Sequence, residues 1–339
     1  MLVTEPRGDF APLNNRIMES VSAKAVLAAV DLSLFDRLSG RTLGAAELAL
    51  EMGLVAERLE PFLDIMVALG LLEKTGGRYG NTGLADEFMV SDAPLYQGDY
   101  LALTMGFALS IEQSIVALLS GGEVDRAGTD KGWSTDKIMD GTAQGALWGG
   151  VGAVADAVAG LPGFDRFRSM CDIGGNHGLY TLGVLERNQA MRGTIFDLPP
   201  VAEQAGLRCG RMGFGDRVDI RGMDFRVESL PEECFDLAVT SHVLYAFRED
   251  LVGALRKIAR GLKPGGWFVS HHYCGRCEPG GELYKASLEL LTRLGGYSSH
   301  FIDREELCLA LEEAGFEEPQ FRNVPGRDMS LIGLARRRE

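Results

Sequence analysis

The chain has 339 residues, 46% of them hydrophobic and 24% charged, and its formal net charge is −14. These values are ordinary for a folded globular protein and exclude intrinsic disorder. The length suits two domains, or one large domain with an extension. No segment is strongly basic, so the charge argues against nucleic acid as a partner. We also predict a cytoplasmic protein without membrane contact. No run approaches the ~18–20 apolar residues of a membrane span, and the first residues do not resemble a signal peptide.

The first third of the sequence has the pattern of helices. Apolar residues recur at helical spacing through 14–38, and two shorter amphipathic segments, AAELALEMG and VAERLEPFLDIMVALG, follow. LLEKTGGRYGNT then has the pattern of a small hairpin around a Gly-Gly turn. We therefore predict a winged-helix domain, otherwise all-helical, over residues 1–96.

This predicted domain is not suited to reading DNA. Its last helix carries Glu57, Glu60 and Asp64 against a single Arg58, and the first hundred residues hold 8 Lys/Arg and 15 Asp/Glu. A winged-helix regulator would need a basic surface there, so we disfavour it. The many apolar positions suit a helical dimer interface better.

The rest of the chain has two patterns. Residues 97–165 continue helical, and from residue 170 short apolar strands (MCDI, GTIFD, RVDIRG, FDLAVT, GGWFVS) alternate with helices before a terminal hairpin. The alternation predicts an α/β domain over 166–339 with a parallel, doubly wound, Rossmann-like sheet, whose ligands bind at the carboxyl ends of the strands. Candidates for the walls of a substrate pocket come from the helical region: Met105, Phe107, Trp133, Met139 and Trp148.

A glycine-rich turn, CDIGGNHGLY, joins the first strand of this sheet to its first helix. Gly174, Gly175 and Gly178 allow a tight turn and a close approach of a ligand to the backbone. Such a loop alone is weak evidence, because several nucleotide-binding folds share it. Asp172 lies just before the turn, where it would repel a pyrophosphate and attract a cationic group.

Acidic residues follow the next two strands as well. Asp197 lies about 20 residues past the loop, where a carboxylate can accept both ribose hydroxyls. Asp224 and Phe225 follow the third strand and suit the amino group and flat face of an adenine. Each acid alone could be a helix cap or a solvated turn. Together with Asp172 they predict S-adenosylmethionine as the cofactor.

The segments DIGGNHG, FDLP, DF and LKPGG resemble the motifs of class I methyltransferases. More narrowly, the chain resembles the caffeate and hydroxyindole O-methyltransferase family from about residue 14 to its end. The resemblance implies a homodimer that joins an N-terminal winged-helix dimerisation domain to a methyltransferase domain acting on a small molecule. It also implies a set of cofactor contacts, to which we add Gly175 and Ser241: Asp172, Gly174, Gly178, Asp197, Leu198, Asp224 and Phe225.

Two positions depart from this family. Asn176 stands where the family usually has another glycine, a modest change because asparagine tolerates positive φ better than most residues. The family's VLHDW motif, whose histidine deprotonates the acceptor hydroxyl, is here VLYAF. Tyr245, Ala246 and Phe247 replace the histidine, aspartate and tryptophan. Tyrosine, with an unperturbed pKa of about 10, is a poor general base, so it is expected to orient or donate a hydrogen bond.

The five histidines of the chain offer replacements for the missing base. The functional interpretation is that one of His242, His272 or His300 serves as the base and that Tyr245 contributes to the catalytic site. The alternative is that His177 and His271 are satisfied polar residues of loops and that His242 only packs. A metal centre is a third interpretation, because His242, the segment HHYCGRC and His300 could converge. The second paired motif of a structural zinc site is missing, so we predict no metal.

These observations favour an S-adenosylmethionine-dependent methyltransferase that acts on a hydroxyl group of a small aromatic or polycyclic molecule. One alternative is C-methylation of a similar large apolar substrate, where catalysis depends on holding the reactants in line. The other is a catalytically silent dimer that binds the cofactor, since the usual histidine is absent.

Overall fold

A computed structural model describes residues 6–111 and 115–339 of the chain. The chain forms two compact units that divide between Ala102 and Leu103. The three-part division at residues 96 and 165 stays a prediction. Within the described ranges, no helix is long and apolar enough to cross a membrane.

The first unit begins with helices, as the sequence predicts. The helix expected over 14–38 is interrupted at Ser33, whose φ of +52° ends its helical backbone geometry. The bounds of the elements are α1 Ala11–Asp31, α2 Leu34–Leu38, β1 Leu43–Gly44, α3 Ala45–Met52, α4 Ala56–Ala68, β2 Leu72–Thr75, β3 Arg78–Asn81 and α5 Gly83–Phe88.

This unit also contains a three-stranded sheet in the order β1-β3-β2, so one short strand accompanies the predicted hairpin among the helices. The predicted hairpin is confirmed, because β2 and β3 pair antiparallel from Leu72 opposite Asn81 to Thr75 opposite Arg78. Strand β1 pairs Leu43 with Tyr79. Two residues are too few to show the alternation by which strands are recognised in a sequence.

The core of the first unit is formed by apolar side chains of its helices and of the small sheet. Its fully buried members include Leu34, Leu48, Leu63, Met66 and Tyr79. By contrast, α1 carries a row of exposed apolar side chains with helical spacing. They are Phe10, Leu13, Ile17, Met18 and Val21, each 49–68% exposed.

The second unit contains the α/β domain. Helix α6, Gly98–Ser110, includes the residues at which the units divide. The later helices are α7 Ile115–Leu119, α8 Arg126–Gly132, α9 Asp136–Leu147, α10 Gly150–Ala159, α11 Leu179–Arg187, α12 Pro199–Arg211, α13 Leu251–Gly261, α14 Glu282–Leu294 and α15 Arg304–Glu313. Short 3-10 helices cover Phe164–Arg166 and Leu244–Asp250. The strands are β4 Ser169–Ile173, β5 Arg192–Asp197, β6 Val218–Gly222, β7 Phe235–Ser241, β8 Leu262–Tyr273, β9 Phe316–Val324 and β10 Arg327–Arg337.

The strands of this unit form one seven-stranded sheet in the order β6-β5-β4-β7-β8-β10-β9. The α/β class and the terminal hairpin are confirmed, but the sheet is mixed and not purely parallel. Strands β4 to β8 pair parallel, while β10 pairs antiparallel with β8 and with β9. The short turn between β9 and β10 requires the antiparallel pairing, because parallel strands need a long crossover.

Two features of the sheet position the site. Successive residues of β7 face opposite sides, since Leu237 and Val239 belong to one core cluster and Ala238 to another. The strand order reverses between β4 and β7. In open α/β sheets a ligand binds beside such a reversal, at the carboxyl ends of the strands. The glycine-rich turn after β4 and the SHVLYAF segment after β7 lie there.

Candidate active site

The turn between β4 and α11 needs its glycines. Gly174 and Gly178 have φ of +71° and +79°, where side chains are strained. A Cβ atom at Gly174 would lie 2.7 Å from Val243 Cγ2, and one at Gly178 would lie 2.7 Å from Cys209 Sγ. A Cβ at Gly175 would lie 2.9 Å from Ile195 Cγ2 and 3.0 Å from Asp172 Cγ. The turn is therefore packed too closely for any side chain at these positions.

Asn176, the departure from the family's glycine, connects this turn to its surroundings. Its φ is +42°, so asparagine accepts the backbone conformation that the sequence predicted there. Its backbone N–H donates to Asp197 Oδ2 at 2.9 Å, and its Nδ2 donates to the carbonyl oxygen of Trp133 at 3.3 Å. Thr142 Oγ1 lies 3.2 Å from Asn176 Oδ1. The side chain thus joins the turn to α9 and to the residues before it, a role that the sequence did not reveal.

Asp172 is a fully buried acid at the end of β4. Its Oδ2 accepts a hydrogen bond from Thr181 Oγ1 at 2.8 Å, whereas Oδ1 has no hydrogen-bond partner among the described residues. Burial raises the pKa of Asp172 to about 7, and the negative charge of Asp197 contributes a smaller rise. The hydrogen bonds from Thr181 act in the opposite direction and lower the pKa. A buried carboxylate with one unpartnered oxygen is stabilised by a nearby positive charge.

Asp197 lies at the end of β5, where two backbone N–H groups orient it. Its Oδ1 accepts from Leu198 N at 2.7 Å, and its Oδ2 accepts from Asn176 N. Burial raises the pKa of this carboxyl to about 6 despite these hydrogen bonds. Each oxygen keeps a further acceptor site, so both can still receive hydroxyl groups.

Asp224 and Phe225 are less available than the sequence predicts. Both carboxylate oxygens of Asp224 already accept from Arg226, at 2.8 Å from Nε and 2.9 Å from Nη2, which lowers the pKa of Asp224. Arg226 also pairs with Asp130 of α8 at 2.8 Å. Phe225 is only 6% exposed and packs edge to face with Phe247, and its role as a cofactor contact stays a prediction. The role of Asp224 as a cofactor contact stays a prediction.

Ser241 ends β7, beside the reversal of strand order. Its Oγ is buried and has no partner among the described residues, like Oδ1 of Asp172. These groups fit S-adenosylmethionine. The unpartnered buried acid, Asp172, suits its cationic group, and the oriented acid, Asp197, suits its ribose diol. The turn that only glycines can form lets the cofactor approach the backbone closely. Asp172, Gly174, Gly175, Gly178, Asp197, Leu198 and Ser241 are the residues that would hold it.

The predicted catalytic residues meet in a chain of aromatic rings after β7 and β8. His242, with φ of +52°, donates its backbone N–H to the carbonyl oxygen of His271 at 2.7 Å. Its ring centroid lies 4.6 Å from that of Tyr273, and Tyr273 lies 5.3 Å from His300. His300 stacks on Tyr245 at 4.3 Å with 18° between the ring planes. His242, Tyr245 and His300 thus belong to one site.

His300 has the environment of a neutral imidazole. Its Nδ1 lies 3.0 Å from Thr292 Oγ1, and its backbone N–H donates to Glu289 Oε2 at 3.1 Å. Burial lowers the pKa of His300 to about 4, and the charge of Glu289 acts in the opposite direction. Tyr245 stays protonated at neutral pH, since burial first, and the neighbouring Tyr297 and Asp130 next, raise its pKa.

His272 does not join this group, so we no longer regard it as a candidate base. Adjacent residues of a strand point to opposite faces of the sheet. His271 contacts Tyr180 and Ser330, with ring nitrogens 3.1 Å and 2.6 Å from their hydroxyl oxygens. His272 points to the other face and is 2% exposed. Burial lowers its pKa to about 4, while a hydrogen bond with the backbone of Ile302 and the charge of Asp303 act in the opposite direction.

Two other predictions concern a metal and the pocket walls. Across residues 6–111 and 115–339, no group of three or more His, Cys, Asp or Glu side chains is arranged to hold a metal ion. Met139 is fully buried with Val201 and Ala205 in a core cluster, so the structure favours a core role for it over a place in a pocket wall. Trp148 is 49% exposed and stacks under the guanidinium of Arg327 at 4.4 Å.

Known proteins match both parts of the chain. A methyltransferase domain model matches residues 151–318, and an O-methyltransferase dimerisation domain model matches residues 16–91. The tetracenomycin polyketide synthesis 8-O-methyl transferase TcmO of Streptomyces glaucescens is 28% identical over 96% of each chain. The N,N-dimethyltransferase OxyT of Streptomyces rimosus is 29% identical over 89% of each chain.

Solved structures show the same fold. The structure of PigF with SAH aligns with a TM-score of 0.80 at 20% identity, covering 97% of this chain and 100% of that one. Human N-acetylserotonin methyltransferase in complex with SAM aligns with a TM-score of 0.78 at 22% identity, covering 99% and 100%. The chain therefore belongs to the S-adenosylmethionine-dependent O-methyltransferase family, in which a dimerisation domain precedes a class I methyltransferase domain.

Proposed function

We propose that this protein transfers a methyl group from S-adenosylmethionine to a hydroxyl group of a small aromatic or polycyclic molecule. The observation that carries the proposal is the arrangement of Asp172 and Asp197 around the glycine turn. One acid is buried with an unpartnered oxygen, and the other is oriented by two backbone N–H groups. The 28% identical relative TcmO is named as an 8-O-methyl transfer enzyme of polyketide synthesis, which supports an oxygen acceptor on a polycyclic molecule.

In this reaction the residues of the chain would have distinct roles in binding and in proton transfer. When bound, S-adenosylmethionine supplies a methyl group on a sulfonium sulfur, and its transfer to a hydroxyl oxygen releases one proton. The ionised Asp172 favours the cationic ligand, and Asp197 holds the ribose diol. His300 takes the proton, because it is neutral at physiological pH and stacks on the residue that replaces the family's histidine. Because burial lowers its pKa to about 4, below the neutral range in which a general base works best, we expect its contribution to lie near the lower end of the usual range of about 10²- to 10⁴-fold.

His242 and Tyr245 would shape the acceptor site and not act as bases. Tyr245 keeps its proton at neutral pH and can donate a hydrogen bond to the acceptor. His242 is held in a left-handed conformation by its hydrogen bond to the His271 carbonyl, and burial lowers its pKa well below the usual range. Backbone strain of this kind is common at functional sites.

The protein would act as a homodimer through its first unit. The exposed apolar row on α1, from Phe10 to Val21, is the kind of surface that another chain covers. The match of residues 16–91 to the dimerisation domain supports the same assignment. Ile17→Asp should shift the mass measured by light scattering from dimer to monomer, whereas substitution of the exposed Lys24 should not.

We infer a cytoplasmic location as well, which cell fractionation can test.

The first test of the function is calorimetric titration with S-adenosylmethionine and its demethylated product. We expect dissociation constants in the micromolar range or below. Asp197→Ala should weaken binding by about ten- to a hundredfold, because hydrogen bonds to a charged group contribute about 1.5–3 kcal/mol. Asp165→Ala, which alters an exposed acid, is the matched control. Absence of binding to the wild-type protein would refute the proposal.

The second test identifies the acceptor atom. The protein and S-adenosylmethionine would be incubated with polycyclic phenols, with matched amines and with matched compounds that carry neither group. Mass spectrometry would then identify the products. Methylation of phenols supports the proposal. Methylation of amines alone would favour N-methylation, which the 29% identity to OxyT makes the second candidate. Methylation at carbon alone would favour a C-methyltransferase.

A further inference from the structure

We propose that Thr292 is a positioning residue that fixes His300 in the tautomer with its proton on Nδ1, so that Nε2 is the atom that accepts the proton of the acceptor hydroxyl. The inference deepens the proposed function and rests on it. It concerns two residues of the chain segment 292–300, which contains none of the family motifs identified in the sequence.

The tautomer follows from the hydrogen bonds of the Thr292 hydroxyl. Its Oγ1 lies 2.8 Å from the carbonyl oxygen of Leu288 and 3.0 Å from His300 Nδ1. A carbonyl oxygen can only accept, and two oxygen atoms at 2.8 Å repel each other unless a proton lies between them. The single hydroxyl proton is therefore committed to Leu288. Towards His300 the oxygen presents a lone pair, so Nδ1 must carry the proton.

Helix α14 holds this arrangement in place from two positions. Thr292 is 7% exposed, and its bond to Leu288 joins residues four apart on the helix. One turn earlier, Glu289 Oε2 accepts from the backbone N–H of His300, while Oε1 pairs with Arg293 at 2.7 Å. Both the ring and the backbone of His300 are thus fixed by one helix, which limits rotation of the imidazole.

The consequence is a base with a defined reactive atom. In a neutral imidazole one nitrogen is a donor and the other an acceptor, so a proton on Nδ1 leaves the lone pair on Nε2. The acceptor hydroxyl gives its proton to Nε2, and the electrons of that O–H bond remain on oxygen. The oxygen forms the new bond to the methyl carbon while the sulfur keeps the electrons of the bond that breaks. Glu289 and the stacked face of Tyr245 then stabilise the protonated ring.

Nitrogen NMR of the protein labelled with ¹⁵N-histidine tests the tautomer directly and without an acceptor. The chain has only five histidines, and the spectrum of His300→Gln assigns the signal of interest. We expect His300 near neutral pH to have a protonated Nδ1 and an unprotonated Nε2. Thr292→Val, which keeps the shape and removes the hydroxyl, should shift the proton towards Nε2, and Thr292→Ser should preserve the wild-type pattern.

Two results would overturn the inference. The first is a proton on Nε2 of His300 in the wild-type protein, which is measurable even if Thr292→Val fails to fold. The second is a folded Thr292→Val variant with the wild-type tautomer. The outcome is separate from that of the proposed function, because the NMR measurement requires neither cofactor nor turnover. A protein with the expected tautomer that does not bind S-adenosylmethionine would refute only the function.

Kinetics give a further readout once an acceptor is found. Thr292→Val should lower kcat by about 10²-fold, within the range for a general base, with unchanged affinity for S-adenosylmethionine. Thr292→Ser should restore most of the rate. A Thr292→Val variant with wild-type kcat would contradict a positioning role even if the tautomer changed.

Discussion

The imidazole of His300 lies face to face with the phenol ring of Tyr245, with ring centroids 4.3 Å apart and 18° between the planes. Tyr245 occupies the place at which the family motif has its histidine, so an imidazole is present beside that place although the motif lacks one. The imidazole comes from the segment after α14 and not from the segment after β7. Under the proposed function, the base therefore comes from this later segment of the chain.

Replacing His300 should therefore affect turnover and not cofactor binding. We expect His300→Gln to lower kcat by about 10²-fold, because proton removal from the acceptor loses a base whose pKa of about 4 is below the optimum for neutral pH. Calorimetry should show unchanged affinity for S-adenosylmethionine. His272→Leu, on the opposite face of the sheet, is the control and should keep the wild-type kcat. Equal losses in both variants would contradict the assignment of the base to His300.

The two adjacent histidines of β8, His271 and His272, should differ in how their replacement affects the stability of the protein. Among the described residues, the buried ring of His272 has only the backbone of Ile302 as a hydrogen-bonding partner, so His272→Leu should change the free energy of unfolding by no more than about 1 kcal/mol. His271→Leu should lower it by about 2 kcal/mol or more, because the buried hydroxyls of Tyr180 and Ser330 lose their partner. Urea unfolding monitored by fluorescence measures both. A loss of stability in His272→Leu as large as that in His271→Leu would contradict this difference.

The acid Asp172 should make the ligand-free protein less stable as pH rises. Its pKa is about 7 in the folded chain and near 4 in the unfolded chain, so the folded state holds a proton that the unfolded state has lost between these values. The stability that this group contributes is present below about pH 4 and is lost as pH rises through 7. Relative to the wild type, Asp172→Asn should therefore gain stability from pH 4.5 to pH 7.5.

Urea unfolding at several pH values tests this dependence. Only the difference between wild type and Asp172→Asn is informative, because the buried histidines change stability in the opposite direction over part of the range. Their folded pKa values lie below the usual one, so their contribution grows as pH rises from about 4 to 6.5. A difference that does not vary with pH would contradict the raised pKa of Asp172. Asp165→Asn serves as the exposed control.

Two glycines allow a matched test of the turn. Gly178 has positive φ, and its added Cβ would lie 2.7 Å from Cys209 Sγ, so Gly178→Ala should destabilise the protein by about 1–3 kcal/mol and weaken cofactor binding. Gly210 lies in α12, is exposed, and has no atom within 4 Å of an added Cβ. Gly210→Ala should be neutral or stabilise by up to about 1 kcal/mol. Thermal unfolding and calorimetry distinguish the two, and equal behaviour would refute the close packing of the turn.

Features that depend on the local chain were predictable from the sequence. The glycine turn, the helices of the first unit, the hairpin at Gly76 and Gly77, and the order of acids after the strands all follow from backbone conformation and periodicity. The absence of the family's base was equally visible, because Tyr245 stands inside a motif whose place along the chain is known. These properties need no knowledge of which segments meet in space.

The tertiary structure alone decided which side chains are available for chemistry. Asp224 looks like a free acid in the sequence, yet Arg226 binds both of its oxygens. His271 and His272 are adjacent in the sequence, but the alternation of a strand sends them to opposite faces of the sheet. His300 reaches Tyr245 only because the chain returns there after α14, and its tautomer depends on a hydroxyl whose proton is committed to a helix carbonyl. The hydrogen-bond partners of a side chain, the face of the sheet to which it points and its protonation state depend on residues that are distant in the chain. Folding brings these residues together.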